Sequence, residues 1–199
     1  PNRATIHTLV DGEFVPLYDR DPDAQAPAGG VSSNVLDLAA WMNVVLADGE
    51  LDGVDYIDPA ALTAATTGEM VSGHPDSNVA RTSMYGFGFN TGTEVSGRTS
   101  ISHSGAFILG AATSFRMLPS LDLGIATLTN AGPQGVPEAI NAQFLDLVQY
   151  GYITRDWVTD FNAAIGSYYA PTGDLAGETS PPNAAPPAPA SDYVGTYTN

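Results

Sequence analysis

Three runs with a two-residue period, about 98–103, 111–117 (AATSFRM) and 123–129 (LGIATLT), follow one another with only a few residues between them. No other feature narrows the fold as much. A parallel crossover needs about ten residues or more, so strands connected this tightly must pair antiparallel. The connections fall at Gly105 to Gly110 and at Pro119 to Asp122. A related pattern begins at Tyr85. Tyr85, Phe87 and Phe89 fall on one face of an extended segment, and Gly86 and Gly88 fall on the other, where a neighbouring backbone or helix can approach closely.

The segments around this sheet are helical or loop-like. Residues 4–18 alternate loosely about Asp11-Gly12, a dipeptide suited to a hairpin turn whose two central residues need positive φ. The acidic, Pro- and Gly-rich stretch 19–31 reads as loop. Ser33 then reads as a helix N-cap, with Asp37 in the first turn and Val35, Leu38, Ala39, Met42, Val45 and Leu46 as an apolar stripe that Gly49 ends. Asp58-Pro59 predicts a second helix over about 59–66, the proline at a position where its missing N–H costs nothing. Pro137 to Tyr150 places Ile140, Phe144, Leu147 and Val148 on one stripe, and a further helix is expected over about 156–168. The expectation is an α/β fold of the α+β type, an antiparallel sheet with helices covering one face. We expect a domain over 1–170, a Pro-rich linker over 171–190, and in 191–199 (SDYVGTYTN) the opening strand of a truncated further domain.

Composition removes several classes of function. With 22 acidic residues against 6 basic ones the net charge is −16, and every basic residue is arginine. Nucleic acid is not expected as a partner, because phosphate neutralisation needs clustered Lys and Arg. Aspartate outnumbers glutamate 16 to 6 and lysine is absent, a balance open to two readings: an ordinary solvated acidic surface, or a high-salt environment where the self-repulsion is screened. No stretch approaches the ~18–20 apolar residues of a membrane-spanning helix. The chain has no cysteine, so disulfides and cysteine nucleophiles are excluded. His7, His74 and His103 are too scattered for a zinc spacing, and neither metal nor cofactor is implied.

Several short patterns suggest serine chemistry and fail on spacing. Ser32-Ser33-Asn34 fits a Ser-x-Asn motif, but a helix N-cap accounts for it. Tyr197-Thr198-Asn199 fits Tyr-x-Asn, yet it lies beyond the proline-rich segment. A nucleophile elbow around Ser104 needs glycine where Ser102 stands, and the glycines at 86, 88 and 92 miss the dinucleotide fingerprint. His103-Ser104-Gly105 remains: a titratable ring, a hydroxyl and a glycine where a strand pattern gives way to small residues.

Four segments, taken in order, carry a family resemblance: APAGGVSSNVLDLAAWMNVVLADG (26–49), YGFGF (85–89), HSGAFILGAATSFRMLP (103–119) and LDLGIATLTN (121–130). Over roughly residues 1–150 the chain resembles the C-terminal part of the serine β-lactamase and penicillin-binding-protein superfamily, in the branch of class C β-lactamases, esterases and D-aminopeptidases. The resemblance implies an incomplete β-lactamase-like fold. It places His103-Ser104-Gly105 where the family has a Lys-Thr-Gly or His-x-Gly tripeptide on the strand bordering the active site. By the same resemblance the N–H of Ala106 is an oxyanion donor, His103 orients substrate or catalytic hydroxyls, and Ser104 lines the site. Gly29 and Gly30 fall in a loop near the site mouth, and Phe107 is adjacent to substrate.

The family's Ser-x-x-Lys nucleophile cannot occur in a chain without lysine. The resemblance therefore implies the C-terminal portion of a serine hydrolase of amide or ester carbonyls, inactive alone. Pro1 at the start fits a fragment, a processed product or a trimmed chain. The implied partners are a small-molecule or peptide carbonyl substrate, and either the missing N-terminal half or another copy of the chain. The family resemblance favours a secreted or cell-envelope location. The alternative is a binding or structural module that kept the fold without the chemistry.

Overall fold

The runs of residues 98–129 are consecutive strands of a six-stranded antiparallel sheet. The computed structural model describes residues 3–75 and 77–198, and the chain divides into two units, Pro1–Tyr168 and Tyr169–Asn199. The first unit opens with the expected hairpin of β1 (Thr8–Val10) and β2 (Glu13–Val15), turned at Asp11 and Gly12 with φ of 51° and 85°. A short helix α1 (Ala26–Gly29) interrupts the stretch read as loop and leads to α2 (Val35–Leu46). The small hairpin β3 (Glu50–Leu51) and β4 (Val54–Asp55) then precedes helix α3 (Pro59–Thr66). The sheet follows: β5 (Met70–Gly73), β6 (Ser83–Tyr85), β7 (Asn90–Thr93), β8 (Thr99–Phe107), β9 (Ala111–Leu118) and β10 (Leu123–Thr129). Its spatial order is the sequence order reversed, a continuous meander from β10 to β5. Helices α4 (Val136–Tyr150) and α5 (Trp157–Gly166) close the unit.

Helices cover both faces of the sheet, where one covered face was expected. Strand alternation assigns the faces. Ile101 and Met117 look toward α2 and form the core with Met42, Val45 and Leu62, against which Trp41, Phe89 and Phe115 pack. Trp41 stacks on Phe89 with ring centroids 6.0 Å apart and meets Phe115 edge-on at 5.0 Å. The opposite face carries Ser114 and Thr127. There Asn141 of α4 donates to the Ser114 carbonyl at 3.1 Å and accepts from the Thr127 hydroxyl at 2.7 Å.

Several local expectations change for identifiable reasons. Asn34 caps α2, accepting from the amides of Leu36 and Asp37, so the cap stands one residue beyond Ser33. Within YGFGF, Tyr85 ends β6 and residues 86–89 are the hairpin connection to β7, so the segment is not one strand. The Gly86 amide donates to the Phe89 carbonyl at 2.8 Å, Gly88 has φ +89°, and Phe87 is left 68% exposed. The close approach expected at the glycines is realised at Gly86, where an added Cβ would lie 2.2 Å from the Ala65 carbonyl oxygen at the end of α3. Strand β8 continues four residues past His103, and the turn into β9 is confined to Ile108–Gly110.

Helix α4 turns a different side inward than its apolar stripe suggests. It buries Ala139, Asn141, Ala142, Leu145 and Asp146, whereas Ile140, Leu147 and Val148 stay exposed. Small residues permit close approach to the sheet, and Asn141 finds its partners only on that side. The 191–199 segment forms a 3-10 turn at Ala190–Asp192 instead of a strand, and Asn199 lies outside the described residues. A lone strand would leave its ladder groups unpaired. No helix among the described residues is long and apolar enough to cross a membrane.

Asp146 ties α4 to α5. Its Oδ2 accepts from the Thr154 amide at 2.7 Å, the Thr154 hydroxyl at 2.6 Å and the Trp157 indole N–H at 2.6 Å. Burial pushes its carboxyl upward, but these three donors and the Arg116 charge outweigh it and hold the group below the usual carboxylate range. Its contribution to stability is therefore complete above the unfolded-state value and lost as pH falls through the folded one. Asp146→Asn should flatten the acid limb of a melting-temperature profile against pH. Met117 is fully buried at the centre of the core, and Met117→Ala should lower the unfolding free energy in urea by about 2–5 kcal/mol.

Candidate active site

The lengths of β7 and β8 differ, and that difference opens the sheet. Strand β7 pairs with β8 only from Thr93↔Thr99 to Asn90↔Ser102, whereas β9 follows β8 as far as Phe107↔Ala111. From His103 to Phe107 one edge of β8 therefore has no partner strand among the described residues. The Gly110 amide donates to the Phe107 carbonyl at 2.9 Å, and the Thr113 hydroxyl donates to the Gly105 carbonyl at 3.4 Å. The odd-numbered residues of this segment thus point their backbone groups toward β9. By alternation the amides of Ser104 and Ala106 point to the open edge.

Side chains divide by face in the same way. His103, Gly105 and Phe107 stand on the α2 side. His103 Nε2 is hydrogen-bonded to the Tyr85 hydroxyl at 3.0 Å, and the two rings meet edge-on with centroids 5.9 Å apart. Tyr85 is held by its place at the end of β6, where its carbonyl accepts from the Glu69 amide at 2.9 Å. Gly105 leaves the floor bare, and a Cβ there would meet only the Thr113 hydroxyl at 3.4 Å. Phe107 forms the far wall. Gly29 lies on its rim, where an added Cβ would be 3.0 Å from Cζ, and the Arg20 guanidinium carbon lies 3.2 Å over its ring centroid.

Of the residues singled out from sequence, His103, Gly105, Ala106, Phe107 and Gly29 come together along this open edge. Ser104 and Gly30 do not. The Ser104 side chain points to the other face, donates to the Ser114 hydroxyl at 3.2 Å, and lines a cleft with Ser102, Arg116, Glu138 and Asn141. Consecutive strand residues cannot share a face, so Ser104 and His103 are separated by the pleat. Gly30 ends α1, its missing Cβ directed at Ala26, and serves the turn instead of the groove. Tyr85 and Arg20 belong to the arrangement and were missed. Tyr85 opens the YGFGF segment, which draws attention only as a packing pattern. Arg20 sits in an acidic loop and carries no motif.

The chemistry available is specific. Backbone N–H groups on an unpaired strand edge can donate to a developing oxyanion without reorganising. A bare glycine lets a flat acyl group lie against the strand. The His103 Nδ1 atom, with no hydrogen bond among the described residues, is free to meet a ligand while Nε2 is held by Tyr85.

A family model described as Beta-lactamase matches residues 1–150. Among solved structures that match is the octameric penicillin-binding protein homologue from Pyrococcus abyssi, at 21% identity and a TM-score of 0.56, over 73% of this chain. The chain spans 30% of the length of that protein's chain. The likeness is one of fold: a mixed α/β arrangement around an antiparallel sheet. No curated protein matches.

Tyr85→Phe keeps the ring and deletes one hydrogen bond. It should cost about 0.5–1.5 kcal/mol in urea unfolding and alter the imidazole ¹⁵N signals of His103 that report its tautomer. Unchanged imidazole signals would show that the phenol does not orient the ring.

Proposed function

Because the chain belongs to the β-lactamase family, we propose that it is the C-terminal portion of a serine hydrolase that opens amide or ester carbonyls through an acyl-enzyme. The observation that carries this proposal is the unpaired edge of β8, with the Ala106 amide outward beside bare Gly105 and tethered His103. In the complete enzyme a serine hydroxyl attacks the carbonyl carbon, and the negative charge that develops on the carbonyl oxygen is held in part by the Ala106 N–H. The leaving amine or alcohol takes a proton as it departs. Water then attacks the acyl carbon, and the acid is released as the serine recovers its proton. His103 orients the substrate from the side of the α2 face.

The absence of lysine supports a nucleophile borne on other polypeptide, since Ser-x-x-Lys cannot lie within these 199 residues. The partner that brings it is an N-terminal half; another copy of the chain, equally without lysine, would serve only to cover exposed surface. Two surfaces support such a partner: β10 is a sheet edge, and α4 exposes Ile140, Leu147 and Val148. Histidine in place of lysine favours an esterase or peptidase over a dedicated β-lactamase, because an imidazole is not a permanent cation. Residues 1–170 are the hydrolase portion in this proposal, and 171–190 are a linker.

The chain alone should turn over neither a fluorescent penicillin nor a p-nitrophenyl ester; rapid turnover would overturn the split-site account. Supplying the upstream polypeptide should create activity. In that complete enzyme Ala106→Pro removes an amide that points away from the ladder, where proline is tolerated. It should lower kcat about 10²–10³-fold with circular dichroism unchanged. Unaltered kcat would exclude the Ala106 amide from the reaction.

A further inference from the structure

The turn that joins β8 to β9 is only Ile108–Gly110, and Ile108 and Leu109 are 44% and 37% exposed. Apolar burial does not anchor it. Residues from the start of the chain do. Gly110 has φ +136°, and a Cβ there would lie 2.3 Å from the His7 amide nitrogen, so the turn rests directly on the His7 backbone. The Thr8 hydroxyl donates to the Ile108 carbonyl at 2.9 Å, across 100 positions of sequence, and Thr8 is only 5% exposed.

His7 is in turn fixed to the residues that follow β10. Its amide donates to the Asn130 carbonyl at 2.8 Å, its carbonyl accepts from the Gly132 amide at 2.8 Å, and it bridges Ala131 in parallel. The Asn130 side-chain amide donates to the Thr5 carbonyl at 2.7 Å. The tip of β8 is thus braced from the end of β10 through residues 5–8. A buried hydroxyl that holds a carbonyl is directional, and deleting the donor leaves the carbonyl unsatisfied. Ile108 stands two residues beyond Ala106, and between His103 and Phe107 β8 is paired on the β9 side alone among the described residues. On the open side no strand there resists a twist of β8. An oxyanion donor acts only from the right place, and a misplacement of about 1 Å caused by a remote substitution can cost about 10²-fold in rate.

We propose that Thr8 is a positioning residue of the β8 groove: its hydroxyl, by holding the Ile108 carbonyl, fixes the direction of the Ala106 amide without touching substrate. Its part in turnover rests on the hydrolase function proposed above; the bracing itself does not.

Nitrogen-15 relaxation of the chain reads the order of the Ala106 N–H. The order parameter should be about 0.85, as in rigid backbone, and Thr8→Val should lower it toward about 0.6. Hydrogen exchange of the Gly110 amide should become about two- to tenfold faster, with exchange at Met117 in the core unchanged. Thr8→Ser, which keeps the hydroxyl, should leave all three readings as they are in the parent chain. Asn130→Ala, at an exposed position, should loosen the same amide to a smaller degree, and it carries the test should Thr8→Val not fold. Three results would overturn the proposal: an order parameter moved by neither Thr8→Val nor Asn130→Ala, the same loss in Thr8→Ser, or equal acceleration at Met117, which marks general destabilisation. With the upstream polypeptide supplied, Thr8→Val should lower kcat about tenfold or more with KM nearly unchanged. A complete enzyme that hydrolyses nothing would sink the hydrolase function while leaving the bracing intact. One that hydrolyses with kcat unaltered in Thr8→Val would sink the positioning role alone.

Discussion

The groove exists because β8 is nine residues long and β7 is four. A strand normally hides both rows of backbone groups in its neighbours. Here β9 satisfies one row from Ile101 to Phe107, and β7 stops at Ser102. The second row is left to solvent or ligand over five residues. Among the described residues, no other segment offers an outward amide, a bare glycine floor and a tethered imidazole in such short order.

An open edge holds its shape only if the paired side is rigid. Strand β9 supplies that rigidity by ending in Met117 and Leu118, both fully buried. The aromatic group of Trp41, Phe89 and Phe115 then fixes α2 and the β6–β7 hairpin against the same face. Because Phe89 and Tyr85 sit at the two ends of one tight connection, packing of the first places the second beside His103. The other face is held differently. Asn141 bonds to the sheet, the half-buried Arg116 and Glu94 pair at 2.8 Å, and Asp146 gathers three donors. Polar contacts of this kind depend on direction, so they specify how α4 sits more sharply than apolar burial would.

Much of this was legible because it is local. Asp11-Gly12 turns a hairpin, Asp58-Pro59 starts a helix, and the short connections after residue 98 force antiparallel pairing. The misreadings share one cause. YGFGF has strand periodicity, but the end of α3 approaches Gly86 and the chain must turn there. The apolar stripe of α4 stays largely exposed, whereas Asn141 and Asp146, polar in sequence, are buried because their partners lie on β9 and β10 and on the segment entering α5. Ser104 was grouped with His103 by adjacency, and the pleat separates them.

The sequence by itself determined the antiparallel meander, the helices that flank it, the family, and the exclusion of a lysine-assisted nucleophile from this chain. Period, turn chemistry and composition act over a few residues, so they are written in the chain. Tertiary structure alone decided which edge of β8 stays open, that Tyr85 holds His103, and that Arg20 rests on Phe107 across 87 positions of sequence. Those relations arise where separate elements meet, and their energies come from distance and direction between groups that no local pattern connects.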